Sequence, residues 1–200
     1  MQLIGIMGGT FNPIHIGHLI IANEVLHSLK LEKILFIPTG QPPHKEMKEV
    51  APAIDRFNMV KYSIRGNDKF EVLDLEVKRE GKTYTIDTLK ELKELYKDAH
   101  FYFIIGFDTL RELSTWKDID KIYEYCRFVV VNRDSDLNEI NQFIIKYKEI
   151  YRLDIKYVNI PNIGISSTLI RNRIRENKTI KYMVTEYVEN YIRENNLYRG

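Results

Sequence analysis

Short apolar runs alternate with helically spaced apolar positions along almost the whole chain, a pattern that predicts strands interleaved with helices. Leu3-Ile4-Gly5-Ile6-Met7 reads as a buried strand, and Leu19, Ile20, Ala22, Val25, Leu26 and Leu29 then recur at helical spacing. Residues 33–38 form a second apolar run, so the opening is a strand, helix, strand unit with its strands parallel. A loop at 39–45 leads to a helix over 53–64 that turns Ile54, Phe57, Val60 and Tyr62 partly inward, and then to a short strand at 70–75. After a turn at Gly81-Lys82, Thr83 or Thr85 is placed to cap a helix carrying Ile86, Leu89, Leu92 and Leu95. Residues 101–105 make the next strand, ending at Gly106-Phe107-Asp108. Helical stretches around Leu110 and 119–125 precede a strand at 128–131 and a polar turn at 132–138. A helix near 139–149, a strand near 155–160 and a helical tail in two pieces complete the chain.

This order predicts an α/β fold, a single doubly wound parallel sheet with C-terminal helices, in one domain over 1–200. No repeat, low-complexity tract or linker interrupts it. Such sheets bind ligands outside the carboxyl ends of their strands, where Gly8-Gly9, Thr39-Gly40, Gly106-Phe107-Asp108 and Asn132-Arg133 all fall. With 44% hydrophobic and 29% charged residues the composition is that of an ordinary soluble protein, and a net charge of +2 gives no broad reason to expect nucleic acid. The absence of a basic-then-apolar leader and of any bilayer-length apolar run makes the expected location cytoplasmic, without a membrane partner. Cys126, the only cysteine, excludes an internal disulfide and is expected at the core or its edge rather than as a nucleophile.

The chemistry concentrates in residues 8–18, Gly8-Gly9-Thr10-Phe11-Asn12-Pro13-Ile14-His15-Ile16-Gly17-His18, between the first strand and the first helix. Gly8 and Gly9 let the backbone bend and approach a ligand, while the unpaired amides and positive dipole end of the helix favour phosphate. Imidazoles at that turn can donate to a phosphate whose charge is shifting. The same histidines also suit a polar helix-capping turn, or half of a zinc site, although a catalytic zinc wants three protein ligands and no third follows at a recognisable spacing. Neither a GxGxxG spacing nor a GxxxxGK[ST] loop is present. The stretch resembles the T/HxGH nucleotidyltransferase superfamily, whose members move a nucleotide monophosphate from ATP or CTP onto a phosphate or carboxylate.

Other segments admit both a plain and a chemical reading. Ile165-Ser166-Ser167-Thr168-Leu169-Ile170-Arg171 is a helix start whose hydroxyls can cap the backbone, but it resembles the superfamily's ISSTxIR motif, in which amides and hydroxyls hold the triphosphate and Arg171 offers a planar fork. Asp108, after Gly106, is either an ordinary cap or a ribose clamp that accepts two hydroxyl bonds. Trp116 is the only tryptophan, a residue usually found in the core, yet its polar neighbours suit a ring presented to a flat ligand. Pro42-Pro43-His44-Lys45 is a stiffened loop, either solvated or facing phosphate.

In combination, GGTFNPIHIGH, PPHK, TYTIDTL, GFDTL followed by a tryptophan, and ISSTLIR resemble the bacterial nicotinate-nucleotide adenylyltransferase family in order and approximate spacing. Two positions depart from it: Asn12 stands where Asp is frequent, and Phe107 where a small residue is frequent. The resemblance implies a Rossmann-like nucleotidyltransferase fold and transfer of the adenylyl group of ATP to nicotinate mononucleotide, giving nicotinate adenine dinucleotide and pyrophosphate on the way to NAD. It implies His15, His18, Arg171 and Lys45 as the catalytic donors. Gly8, Gly9, Thr10, Phe11, His18, Gly106, Asp108, Arg133, Ile165, Ser166, Ser167 and Thr168 would bind ATP. Asn12, His44, Lys45, Thr83, Tyr84, Thr85 and Trp116 would bind nicotinate mononucleotide. Mg²⁺ is expected on the ATP phosphates and water rather than in a protein cage. Oligomeric state, a homo-oligomer included, is left open. A phosphopantetheine adenylyltransferase would share the first and last motifs but have no reason for residues 83–88 and Trp116. A class I aminoacyl-tRNA synthetase also contains HIGH, but it would be longer and carry a KMSKS-like loop. A nucleotide-sensing module would keep the cleft without turnover.

Overall fold

The computed structural model describes residues 2–41, 50–132 and 137–199. Its strands are β1 (Gln2–Gly9), β2 (Lys33–Pro38), β3 (Phe70–Val72), β4 (Ala99–Gly106), β5 (Cys126–Asn132) and β6 (Ile155–Asn159). Its helices are α1 (Ile16–Ser28), α2 (Ala53–Ser63), α3 (Thr85–Leu95), α4 (Phe107–Glu112), α5 (Ile119–Ile122), α6 (Leu137–Tyr151), α7 (Ser167–Arg175) and α8 (Glu186–Glu194). Among the described residues the strands form one six-stranded sheet in the order β3-β2-β1-β4-β5-β6, and β1–β4, β4–β5 and β5–β6 pair in parallel. This is the doubly wound α/β sheet expected from the alternating pattern, with its order reversing beside β1.

Packing divides the chain into two compact units. The first comprises Met1–Met7, Asn23–Ile34 and Tyr84–Asn162. Its strands are apolar along their length because both faces of a parallel sheet are covered: Phe101, Phe103, Ile105, Phe128, Val129 and Val130 are all buried. Ile86, Leu89 and Leu92 of α3 and Ile140 and Tyr147 of α6 are also buried. A side chain at Gly5 would meet the side-chain ends of Leu31 and Ile34, which pack directly against β1 there. Cys126 is buried, and burial pushes its thiol well above the ordinary range, as suits a core residue and not a nucleophile.

The second unit comprises Gly8–Ala22, Leu35–Thr83 and Ile163–Gly200. Leu35, Phe36 and Ile37 of β2, Met59 and Val60 of α2, and Val188 and Ile192 of α8 are all buried in it. Tyr191 ties the two helices together, donating to Asp55 Oδ1 at 2.8 Å and accepting from Asn58 Nδ2 at 3.1 Å.

Several expectations shift locally. The strand expected at 70–75 ends at Val72. Helix α1 starts at Ile16, before the second histidine rather than after it. Ile54 is 56% exposed, because the inward stripe of α2 runs through Arg56, Met59 and Val60, and Leu95 is 61% exposed at the last residue of α3. Neither Thr83 nor Thr85 caps α3: its N-cap is Tyr84 in extended conformation, with no side-chain cap bond. No helix among the described residues is long and apolar enough to cross a membrane.

Candidate active site

The second unit carries the histidine turn. After β1 the chain enters the left-handed region at Phe11, φ 47°, a conformation that costs a residue with a Cβ about 1–2 kcal/mol and recurs at functional turns. The Phe11 ring is buried and meets the His18 imidazole edge-on at 5.2 Å. His15 precedes α1, and its carbonyl accepts from the backbone amide of His18 at 2.9 Å. The two imidazoles stack at 3.7 Å with an interplanar angle of 29°. His15's backbone N–H donates to His18 Nδ1 at 3.2 Å, which makes Nδ1 an acceptor and leaves the neutral ring's proton on Nε2. His18 is thereby prepared as an Nε2–H donor. Gly17 makes room for this stack: a Cβ there would lie 3.0 Å from His15 Nδ1 and 3.1 Å from Cε1.

The ISSTLIR segment lies against the same turn. Ser166 caps α7, its hydroxyl accepting from Leu169 N at 3.1 Å. Ser167 Oγ donates to Pro13 O at 2.8 Å, and Arg171 Nη1 donates to Asn12 O at 2.9 Å. Arg171 Nη2 reaches Thr168 Oγ1 at 3.4 Å, while its Nε is buried without a hydrogen-bond acceptor among the described residues. Two segments some 150 positions apart therefore share one junction, and the three hydroxyls act within the protein. Ser167 spends its O–H inside the protein, whereas Ser166 and Thr168 accept in these bonds and keep their O–H donors alongside the amides of the helix start. Asn12 is a node of the junction, its carbonyl held by Arg171 and its Oδ1 accepting from Ala51 N at 3.0 Å. Thr83 is buried, bonded to Gln41 O through its amide at 3.2 Å.

Sequence reasoning missed two members of this unit. Arg56 is fully buried, and Tyr198 lies near Arg56, Arg171 and Asp55, with burial raising its phenol above the ordinary range. An arginine at an inward helical position and a tyrosine three residues from the end of the chain carry no local signature.

The first unit carries the remaining predicted residues. Gly106 caps α4 in extended conformation, Asp108 is exposed in that helix's first turn, and a Cβ on Gly106 would meet nothing within 4 Å. Nothing in the protein's own packing demands glycine there. Phe107 is buried, its ring edge-on to Phe143 at 6.0 Å and covered by Arg111 at 4.5 Å, so this departure from the family pattern is absorbed by α6. Trp116 is half-buried, standing edge-on to Phe103 at 5.6 Å and to Phe128 at 6.1 Å, which braces its ring. Lys117 bonds Asp87 Oδ2 at 3.2 Å and sits 4.6 Å over the Tyr84 ring, joining the tryptophan segment to the start of α3. Thr85 is the first residue of α3. His44, Lys45 and Arg133 lie outside the described residues.

A parallel sheet whose first strand opens into a turn with stacked histidines, closed by an arginine-bearing helix start, defines a nucleotidyltransferase. The model of the cytidylyltransferase-like family matches residues 6–173. A relative from Desulfitobacterium hafniense (strain Y51), named "Probable nicotinate-nucleotide adenylyltransferase", is 43% identical over 198 residues, covering 98% of this chain and 95% of the relative. One of the same name from Clostridium novyi (strain NT) is 42% identical over 200 residues, covering all of both chains. The solved structure of the Plasmodium falciparum nicotinic acid mononucleotide adenylyltransferase complexed with NaAD shares the fold, with a TM-score of 0.82 at 24% identity over 99% of this chain and 98% of that one. The chain belongs to the cytidylyltransferase-like family and, within it, to the nicotinate-nucleotide adenylyltransferases.

Proposed function

We propose that the protein joins ATP to nicotinate mononucleotide, forming nicotinate adenine dinucleotide and pyrophosphate, and that residues 1–200 work as one nucleotidyltransferase domain. The observation that carries the residue assignment is the junction in which Arg171 and Ser167 hold the carbonyls of Asn12 and Pro13, in the turn that leads to His15 and His18. The unit that holds this junction supplies an Nε2–H donor, a guanidinium and helix-start amides, a donor set that fits phosphate oxygens. Relatives that match along the whole chain support the choice of acceptor.

In the reaction an oxygen of the acceptor's phosphate attacks the α-phosphorus of ATP, the new P–O bond forms, and the bond to the leaving pyrophosphate breaks. The nucleophile is already anionic, so no dedicated base is required; the protein must bring two anions together and stabilise charge moving onto pyrophosphate. His18 and Arg171 donate to that charge, His15 braces His18 by stacking, and Lys45 adds a further cation. Gly8, Gly9, Thr10 and Phe11 supply backbone for close approach of the phosphates, and the amides at Ser166, Ser167 and Thr168 supply donors, while Ile165, whose own amide donates to Ile163 O at 2.8 Å, leads the chain into them. The family resemblance assigns Gly106 and Asp108 to the ribose and Arg133 to ATP. The same resemblance assigns Trp116, Tyr84 and Thr85 to the pyridine ring and its carboxylate, and Asn12, His44 and Thr83 to the rest of the acceptor. Mg²⁺ enters as part of the Mg·ATP substrate, neutralising phosphate charge.

With ATP, Mg²⁺ and nicotinate mononucleotide present, pyrophosphate and nicotinate adenine dinucleotide should appear in equal amounts by coupled assay and mass spectrometry. Pyrophosphate formed without the dinucleotide would overturn the reading. At the site itself, Gly17→Ala should cut kcat by about tenfold or more while the melting temperature stays within a few degrees. Alanine favours the helix by roughly 1 kcal/mol, but its methyl must displace the His15 ring that braces His18. An undiminished kcat in Gly17→Ala would remove the histidine stack from the mechanism.

A further inference from the structure

A guanidinium fully out of solvent is normally matched to a carboxylate, because desolvating a charge is costly unless hydrogen bonds replace the lost water. Arg56 is 0% exposed, and four of its hydrogen bonds reach main-chain carbonyls instead. Nε donates to Ala51 O at 2.9 Å, Nη1 to Thr10 O at 2.8 Å and to Thr39 O at 2.6 Å, and Nη2 to Gly40 O at 2.9 Å. Burial lowers its pKa, opposed by the neighbouring Tyr198 and Glu76, but an arginine still stays charged.

The acceptors are what give this arrangement a functional meaning. Thr10 follows the end of β1 in the histidine turn, and Thr39 and Gly40 follow the end of β2. The two segments are already joined by Thr39 N donating to Gly9 O at 2.9 Å. In a trans peptide the C=O and the next residue's N–H point in opposite directions. Fixing the Thr10 and Thr39 carbonyls on Arg56 therefore aims the N–H groups of Phe11 and Gly40 away from it, and a charged donor on each carbonyl polarises its peptide and strengthens the opposite N–H. Glycine at 40 is demanded by the close pass of the Glu76 backbone, with which a Cβ there would collide. The network extends through Ala51, whose N–H is held by Asn12, to Arg171 on the Asn12 carbonyl.

We propose that Arg56 is a positioning residue of the transfer site: from inside the protein it orients and polarises the backbone amides of Phe11 and Gly40 as donors to the phosphates of the nucleotide substrate. The inference rests on the reading of the histidine turn as a phosphate site. Arg56→Lys keeps the charge but loses the fork, and one ammonium cannot span four carbonyls held by three nitrogens.

The test compares the folded fraction of Arg56→Lys with wild type, by calorimetric titration with pyrophosphate, ATP and adenosine. Affinity for pyrophosphate and ATP should fall about tenfold or more, while adenosine, which has no phosphates, binds as before. An Arg56 that merely held the fold together would lower the melting temperature and leave all three affinities of the folded protein unchanged, which would overturn the proposal. If Arg56→Lys does not fold, amide NMR of the wild type decides. Titration with pyrophosphate should move the Phe11 and Gly40 amide signals downfield and protect them from exchange, and unmoved signals would overturn the proposal. Wild-type protein that binds neither ATP nor pyrophosphate would sink the phosphate reading itself, and this inference with it.

Discussion

His18→Ala should lower kcat by about 10²–10³, equivalent to roughly 2.7–4 kcal/mol, while the KM for ATP changes little. The split follows from the tautomer. His15's amide occupies His18 Nδ1 at 3.2 Å, so the proton sits on Nε2 and the donor direction is set before any substrate arrives. A donor held that way strengthens as charge builds on the departing pyrophosphate and contributes less in the ground state, which is the signature of transition-state rather than uniform binding. His18→Gln is the informative companion, because its amide can donate but lacks the ring that stacks on His15 and meets Phe11. It should recover part of the rate. Steady-state kinetics of both variants checks this, and a rise in KM with kcat intact would make His18 a simple binding residue.

The second large effect is discrimination between acceptors. Wild-type kcat/KM for nicotinate mononucleotide should exceed that for nicotinamide mononucleotide by roughly 10- to 10⁴-fold, the loss of one or two charge-assisted hydrogen bonds at about 1.5–3 kcal/mol each. In the proposed reading the donors lie at the start of α3. Its N-cap Tyr84 makes no side-chain cap bond and Asp87 N already donates to Tyr84 O, so the amides of Thr85 and Ile86 and the Thr85 hydroxyl offer the donors at a positive dipole end suited to a carboxylate. A carboxamide would turn its NH₂ toward those donors. Trp116, braced edge-on by Phe103 and Phe128, offers a fixed ring for stacking on the pyridine, and Lys117 between Asp87 and Tyr84 adds a cation to the same segment. Thr85→Val separates the contributions: a diminished preference assigns selectivity to the hydroxyl, and an undiminished one assigns it to the amides. Equal kcat/KM for the two acceptors in the wild type would refute the carboxylate pocket.

The strand–helix alternation was legible because parallel strands covered on both faces read as unbroken apolar runs: residues 33–38 match β2 at both ends, and 101–105 lie inside β4. Boundaries set by tertiary contacts were less so. Helix α1 begins at Ile16 because Ile16 N is held by Met183 O from the far end of the chain, at 2.9 Å, which no local pattern encodes. The histidine turn and the ISSTLIR segment were legible as motifs, since glycines, imidazoles and a capped arginine have recognisable spacing. Their physical union was not: it depends on Ser167 and Arg171 reaching Pro13 and Asn12, so the Ser167 hydroxyl serves that union. Arg56 escaped notice for a related reason. A charged residue in a helix normally reads as solvated, and only the fold reveals that its fork meets carbonyls from two loops.

The most direct measurement is pyrophosphate release by the purified protein with Mg·ATP and a panel of phosphorylated acceptors: nicotinate mononucleotide, nicotinamide mononucleotide, phosphopantetheine and none. Release that requires ATP, Mg²⁺ and nicotinate mononucleotide together, and collapses when any one is withheld, is the predicted result; turnover with phosphopantetheine and none with nicotinate mononucleotide would contradict the account.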